Sequence, residues 1–266
     1  IEYTDFMKRG MGEIPSSEGS PYSIYPANTN ILFANIAAVR HSLKICPIPG
    51  QLVNMKHKVS YIDPSGVQHW MLGGRLESTM QNIADCLINR FPRRLQKEEY
   101  RSALRTFIVY NQRNKTISTT KKSYQPAESP NGTPEQTYYD LLSNHFDLLK
   151  LCGFKLPEWN SFENYMKQGP SCIFLFHPAL GPLFSVIAQK IRLGEIALWS
   201  ELQLEIAEVD IEELTLDGSL LIEAASPLGS IQAEGILKYG RESRCSLKHL
   251  TIRNKGLNRK THQQIG

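Results

Sequence analysis

Chemistry in this sequence begins with Asn28, Thr29 and Asn30, which stand at the mouth of an apolar run from Ile31 to Ile36. Small side chains that carry both donors and acceptors suit a neutral polyol, whose hydroxyl groups need both. Glu2, at the end of another extended apolar segment, could accept from two hydroxyls at once. The same Asn-Thr pair is equally ordinary turn chemistry, because an asparagine side chain bonds to its own nearby backbone. Lys121 and Lys122 sit side by side in a polar, basic stretch from Lys115 to Pro130. A lysine there is either a mobile point charge with three donors or, with Lys115, part of a solvated loop. Gly73-Gly74 lets the backbone come close to a neighbour, but as a phosphate loop it is poor, since no third glycine and no Lys-Ser/Thr follow. His177, ahead of Pro178, reads as hydrogen-bonded structure rather than a catalytic base. No Gly-x-Ser-x-Gly elbow, His-Glu-x-x-His pair or Cys/His nucleophile arrangement occurs.

The elements that must position these residues can be read from periodicity. Ile31 to Ile36 is expected to be a buried strand. Met7 to Tyr22, rich in Gly, Ser, Pro and Glu, reads as an exposed loop. Cys46 to Gln68 reads as a surface excursion ending in a hairpin at Asp63-Pro-Ser-Gly66. From Glu77 onward Met80, Ile83, Ala84, Leu87, Ile88 and Phe91 keep helical spacing, and Pro92 is the expected stop. Thr106 to Tyr110 is rich in β-formers and predicts a short strand. Thr133-Pro-Glu-Gln136 predicts a helix start, with threonine at the cap and proline at the first helical position. That helix runs through Tyr139, Leu142, Phe146 and Leu149 and stops near Gly153.

After about Pro157 the texture changes. Ser171 to His177 reads as a strand and Phe184 to Leu193 as a helix. Beyond Leu198 short alternating strands follow one another, with Asp217-Gly218 as a turn and Cys245, Leu247, Leu250 and Ile252 repeating the theme. Stacked short strands suggest a parallel β-solenoid, although no strict hexapeptide period is visible.

Composition bounds the answer further. The 266 residues are 41% hydrophobic, as in an ordinary globular chain, and suffice for one substantial domain plus a smaller one. The net charge of +4 implies no polyanionic partner, so nucleic acid is not expected. Apolar stretches such as Cys172 to Phe176 are far too short to span a bilayer, so no membrane span is expected. Cysteines 46, 86, 152, 172 and 245 form no Cys-x-x-Cys pair, which suggests reduced thiols rather than a disulfide framework.

Several motifs taken in order resemble one family. Glu2-Tyr-Thr-Asp5, Asn28-Thr-Asn-Ile-Leu32, Gly73-Gly-Arg-Leu-Glu-Ser-Thr-Met-Gln81, Phe107-Ile-Val-Tyr-Asn111, Lys121-Lys122 and His177-Pro-Ala-Leu-Gly-Pro182 are joined by Ser200-Glu-Leu-Gln-Leu-Glu-Ile-Ala-Glu208 and Leu216-Asp-Gly-Ser-Leu220. Together they look like the UTP–glucose-1-phosphate uridylyltransferases (UDP-glucose pyrophosphorylases), most closely the plant plastid type and its bacterial relatives. The resemblance implies an α/β fold. It would comprise the C-terminal half of a Rossmann-like, GT-A-like nucleotidyltransferase mixed sheet over residues 1–195, then a parallel β-solenoid over 196–266. The family's glycine-rich phosphate loop is absent and the chain opens on Ile1, so an internal stretch holding the sugar half of the site is expected.

The implied reaction is attack of a sugar-1-phosphate oxygen on the α-phosphorus of UTP, giving UDP-sugar and pyrophosphate. Such chemistry needs positioning and charge neutralisation rather than covalent help. By resemblance Lys121 is the candidate catalytic cation, bridging the sugar phosphate and the UTP phosphates. Thr119 stands where relatives carry proline. Glu2, Asn28, Asn30, Gly74 and Glu77 are the candidate sugar-binding residues, with Glu77 equally suited to a structural ion pair or a loop anchor. Mg²⁺ is implied, with ligands outside this chain, as are the substrates UTP and sugar-1-phosphate. Pairing of copies through the solenoid and a cytoplasmic or plastid-stromal location complete the expectations. A non-catalytic regulatory or carbohydrate-binding relative, using the solenoid as its interaction surface, is the alternative.

Overall fold

The computed structural model describes residues 9–11, 14–20, 22–29, 31–231, 237–238 and 243–256. They are mixed α and β, with parallel sheets confined to the C-terminal part. Two compact units divide at Gln112/Arg113. The 195/196 boundary expected from sequence texture is a division of another kind and falls inside the second unit.

In the first unit, helix α1 (Ile36–Ile45) starts where Asn35 Oδ1 accepts from the amides of Ala37 and Ala38. Asparagine is a favoured cap because its oxygen replaces a missing helical acceptor. The buried strand expected over Ile31–Ile36 is therefore not found. Residues 31–35 pair with no strand among the described residues, and Phe33 is 98% exposed.

Strands β1 (Gln51–Ile62) and β2 (Gln68–Ser78) form an antiparallel hairpin. Its turn is the expected one: Asp63 Oδ1 accepts from the Ser65 and Val67 amides and from the Ser65 hydroxyl, and Gly66 takes φ 85°. These bonds, together with the His69 ring nitrogen on Oδ2 at 2.8 Å, hold the half-buried Asp63 carboxyl down at about 2.

The register shifts between Asn54 and His57, and Gly73 lies opposite His57 beside this irregularity. A Cβ on Gly73 would come within 2.8 Å of Val59 Cγ1, and one on Gly74 within 3.0 Å of Val53 Cγ1. The glycine pair thus makes room for cross-strand valines.

Two further expectations fail in this unit. The amphipathic helix beginning at Glu77 is replaced by the end of β2 and a 3₁₀ segment over Met80–Cys86. The cause is competition. The Thr79 amide and hydroxyl both bond to Gly50 O, so the chain is still tied to the hairpin where a helix would start. Lys97–Glu99 and the short helix α2 (Tyr100–Ala103) follow. Thr106–Tyr110 carries strand-forming side chains but pairs with nothing among the described residues, and Ile108 is 90% exposed. Strand propensity is a weak force without a neighbouring ladder.

The second unit holds the core. Helix α3 (Pro134–Leu151) begins at Thr133, whose hydroxyl accepts from the Gln136 amide, with proline at the first turn. The Gln136 side chain turns to Asp140 rather than closing a capping box. Leu142, Phe146, Leu148 and Leu149 are buried. Cys152 and Gly153 (φ 82°) end the helix.

Helix α4 (Phe162–Gln168) and α5 (Phe184–Lys190) accompany two stacks of parallel strands. One runs β3 (Phe154–Lys155), β5 (Ile191–Ile196) and β7 (Glu208–Asp217), then β11 (Arg244–Lys248) with β12 (Thr251–Arg253). The other is β4 (Ile173–Phe176), β6 (Glu201–Glu205) and β8 (Ser219–Glu223). A short antiparallel pair, β9 (Ser230–Ile231) with β10 (Leu237–Lys238), lies between β8 and β11 in sequence.

Register in the stacks is regular. Ile191 lies opposite Ile211, Glu201 opposite Ser219 and Glu208 opposite Arg244, steps of 20, 18 and 36 residues. One corner repeats at each level. Gly153, Leu193, Glu213 and His249 take φ of 82°, 57°, 56° and 50°, and the residues after Gly153, Leu193 and Glu213 are strand partners. A left-handed non-glycine residue costs roughly 1–2 kcal/mol, so the ladder on either side must impose it. Gly194 cannot be replaced cheaply, because at φ 150° a Cβ would lie 2.4 Å from Leu214 O.

Inward side chains Ile191, Ile196, Leu202, Leu204, Ile211, Leu214 and Leu216 are buried in one cluster with the α3 face. On the outer face, Asp210 of β7 is flanked by Arg192 at 2.8 Å and Lys248 at 3.0 Å. Alternating charge across adjacent strands favours this pairing over slipped registers.

Candidate functional site

The lysine pair is positioned by a strap that precedes it. Residues 114–120 lie along α3 and bond to it at successive heights. Asn144 Nδ2 donates to Asn114 O at 2.8 Å, Lys115 Nζ pairs with Asp147, and the Ser118 hydroxyl donates to Asp140 Oδ2 at 2.7 Å. The Thr120 hydroxyl meets that of Thr137 at 3.2 Å. Thr137, Asp140, Asn144 and Asp147 are three or four residues apart, so they form one stripe of the helix. Burial opposes ionisation of Asp147, but Lys115 and Lys150 outweigh it and hold its carboxyl below the usual range.

At the end of the strap the amides of Lys121 and Lys122 both donate to Gly132 O, at 2.7 and 3.0 Å. This closes the 121–132 loop against the N-terminal end of α3, where Thr133 is the cap. The two side chains then diverge. Lys122 Nζ pairs with Glu128 at 3.0 Å, whereas the exposed Lys121 ammonium has no partner among the described residues. Lys115 is no free solvated charge but an anchor.

In the first unit, Glu77 Oε1 accepts from Asn54 Nδ2 across the hairpin at 3.1 Å and from the Arg75 guanidinium beside it. The carboxylate therefore clips β1 to β2, the ion-pair role weighed from sequence. Gly74 sits in mid-strand and Asn28 is exposed. Glu2 and Asn30 lie outside the described residues. His177 caps the 3₁₀ turn Pro178–Leu180, its Nδ1 accepting from the Ala179 amide at 3.1 Å, which is structural work.

Among the described residues no group of three or more histidine, cysteine or carboxylate side chains could hold a metal ion. Nor is any described helix long and apolar enough to cross a membrane.

Sequence reading missed Asp140 and Asp147. Their signal was present as a polar stripe at helical spacing on the side of α3 away from Leu142, Phe146 and Leu149.

Two comparisons with known proteins give matches. A family model for the UGP3-like C-terminal hexapeptide repeats matches residues 191–265, the region of the stacked parallel strands. The repeat is thus present, although no strict hexapeptide period is visible by eye. The chain is also 39% identical over 266 residues to UTP–glucose-1-phosphate uridylyltransferase 3, chloroplastic, of Arabidopsis thaliana. That match covers 97% of this chain and 30% of the relative, so the chain spans under a third of the relative's length. The resemblance to the UTP–glucose-1-phosphate uridylyltransferase family read from the motifs is a true relationship of sequence. No solved structure matches.

Proposed function

We propose that this chain is the sugar-phosphate-handling part of a UTP–sugar-1-phosphate uridylyltransferase. UTP and sugar-1-phosphate, with glucose-1-phosphate the first choice, would be converted to UDP-sugar and pyrophosphate. The observation that carries the reading is the division of labour in the lysine pair: Lys122 is neutralised by Glu128, while Lys121, at the end of an anchored strap, has no partner among the described residues. An ammonium so placed stabilises charge shared between two phosphates without needing to break an existing ion pair.

In this reading the phosphate oxygen of the sugar-1-phosphate attacks the α-phosphorus of UTP, the bond to the β-phosphate oxygen breaks, and pyrophosphate leaves. Lys121 donates to the phosphate oxygens throughout. Asn28 and Gly74, with Glu2 and Asn30, belong to the sugar side, and Glu77 holds the hairpin that carries Gly74. Magnesium, when bound elsewhere in the complete site, would neutralise phosphate charge.

In the same proposal, residues 196–266 belong to a β-solenoid that follows a GT-A-like half-domain over 1–195, and the solenoid pairs copies of the chain. A plastid location is favoured by the chloroplastic relative. The test is to purify the natural polypeptide that carries this chain and measure pyrophosphate release with UTP, a magnesium salt and a panel of sugar-1-phosphates. Turnover with glucose-1-phosphate is expected. No turnover with any sugar-1-phosphate would favour the regulatory alternative.

A further inference from the structure

We infer that the polar stripe Thr137, Asp140, Asn144 and Asp147 of α3 is a positioning rail for Lys121, acting through the 114–120 strap. The inference rests on the proposed role of Lys121 and adds residues that no motif assigns. Its basis is the series of contacts that ties the strap to the helix between a first anchor at Lys115 and a last at Thr120, each meeting a residue of the stripe. The strap opens with a 3₁₀ turn over Arg113–Lys115, whose Arg113 carbonyl accepts from the Thr116 and Ile117 amides, so its start is held by its own backbone as well as by Asp147.

The contacts between those anchors are side-chain specific. Asp140 is the central one, taking the Ser118 hydroxyl on Oδ2 at 2.7 Å and the Gln136 amide group on Oδ1 at 2.8 Å. On its far side Lys121 is fixed by its own amide, bonded to Gly132 O at 2.7 Å. The root of a long, flexible side chain is therefore held from both directions. This matters because the Lys121 ammonium has no partner among the described residues to fix it, unlike that of Lys122. A merely solvating loop would need neither the one-sided stripe nor the double closure onto Gly132.

A structural role for Asp140 alone would lower activity whatever stands at position 121. A positioning role would vanish once the Lys121 charge is gone, because coupled residues are non-additive. The experiment is a double-mutant cycle in the natural polypeptide, reading kcat and KM for glucose-1-phosphate at saturating UTP. Asp140→Ala is expected to lose about tenfold to a hundredfold in kcat/KM, the scale of a small misplacement. Asp140→Asn, which keeps an oxygen for Ser118, should recover most of that loss. In the Lys121→Ala background, Asp140→Ala should change the rate by no more than about twofold.

Equal losses in both backgrounds, or no loss with Lys121 present, overturn the rail. A large Lys121→Ala loss without coupling overturns the rail and leaves the phosphate role standing. A silent Lys121→Ala overturns both. Should Asp140→Ala not fold, Lys115→Met, at the solvent-facing end of the strap, carries the same cycle with the same criteria and a smaller expected loss.

Discussion

Lys122 is held by Glu128 and Lys121 is not, so the two substitutions should have unequal effects. In the natural polypeptide Lys121→Ala should cost about a hundredfold to a thousandfold in rate, the scale of removing one preorganised charge donor. Lys122→Ala should stay within about tenfold, because exposed ion pairs contribute little. Steady-state kinetics of the two single variants check this.

His145 gives a second test at the same scale. Its ring is buried on α3 with Nδ1–H donating to Phe174 O at 2.7 Å, and burial lowers its pKa although that bond opposes the shift. The unfolded chain therefore binds this proton more tightly than the folded one. The contribution is fully present above about pH 6.5 and is lost as pH falls through the lower folded-state value. The melting temperature should drop on acidification below that point, and His145→Gln should flatten the drop.

At this scale the lysine pair was legible because charge and adjacency are written in the sequence. The difference between its members was not, since it depends on Glu128 folding back across the loop.

Among the elements, α3 was the most legible, because its start is a local competition that Thr133 and Pro134 decide between them. Thr133→Ala should cost about 1–2 kcal/mol, seen as a lower denaturation midpoint with an unchanged slope. The Asp63–Gly66 turn was legible for the same reason: the aspartate satisfies its own turn amides. Ile31–Ile36, Met80–Phe91 and Thr106–Tyr110 were misread where a local pattern met no tertiary partner or a stronger one. Asn35 starts a helix inside the first, the Gly50 carbonyl holds Thr79 ahead of the second, and no described strand lies alongside the third. Apolar character announces that a segment will be covered but is silent on what covers it.

Across the whole molecule, buried apolar residues are very unequally shared. Of the residues up to Gln112, Ile83 is the one buried large hydrophobe among those described, while the core cluster lies wholly beyond Arg113. Local opening should therefore cost far less in the first unit. Amide hydrogen exchange on the isolated chain is expected to be fast through α1 and the β1–β2 hairpin and slow through α3, β5, β6 and β7. Comparable protection in both units would contradict this. The parallel stacking was anticipated from short alternating strands, but its register was not, because that register is set between residues 18 to 40 positions apart.

The corner column at Gly153, Leu193, Glu213 and His249 bears on how this part of the chain can change length. Each level is re-indexed at its corner, so an error in spacing need not propagate to the next level. The 36-residue step from β7 to β11, nearly twice the 20-residue step from β5 to β7, already shows an extra segment absorbed between levels. Insertion of a few glycine and serine residues after Leu228 should leave the thermal midpoint almost unchanged. One residue added between Asp210 and Ile211 should exchange the inward and outward faces of the strand up to the Glu213 corner. That would place charged side chains in the core, and the soluble yield should collapse. Lengthening between levels should be tolerated and lengthening within one should not, which gives this region a grammar of permitted insertions.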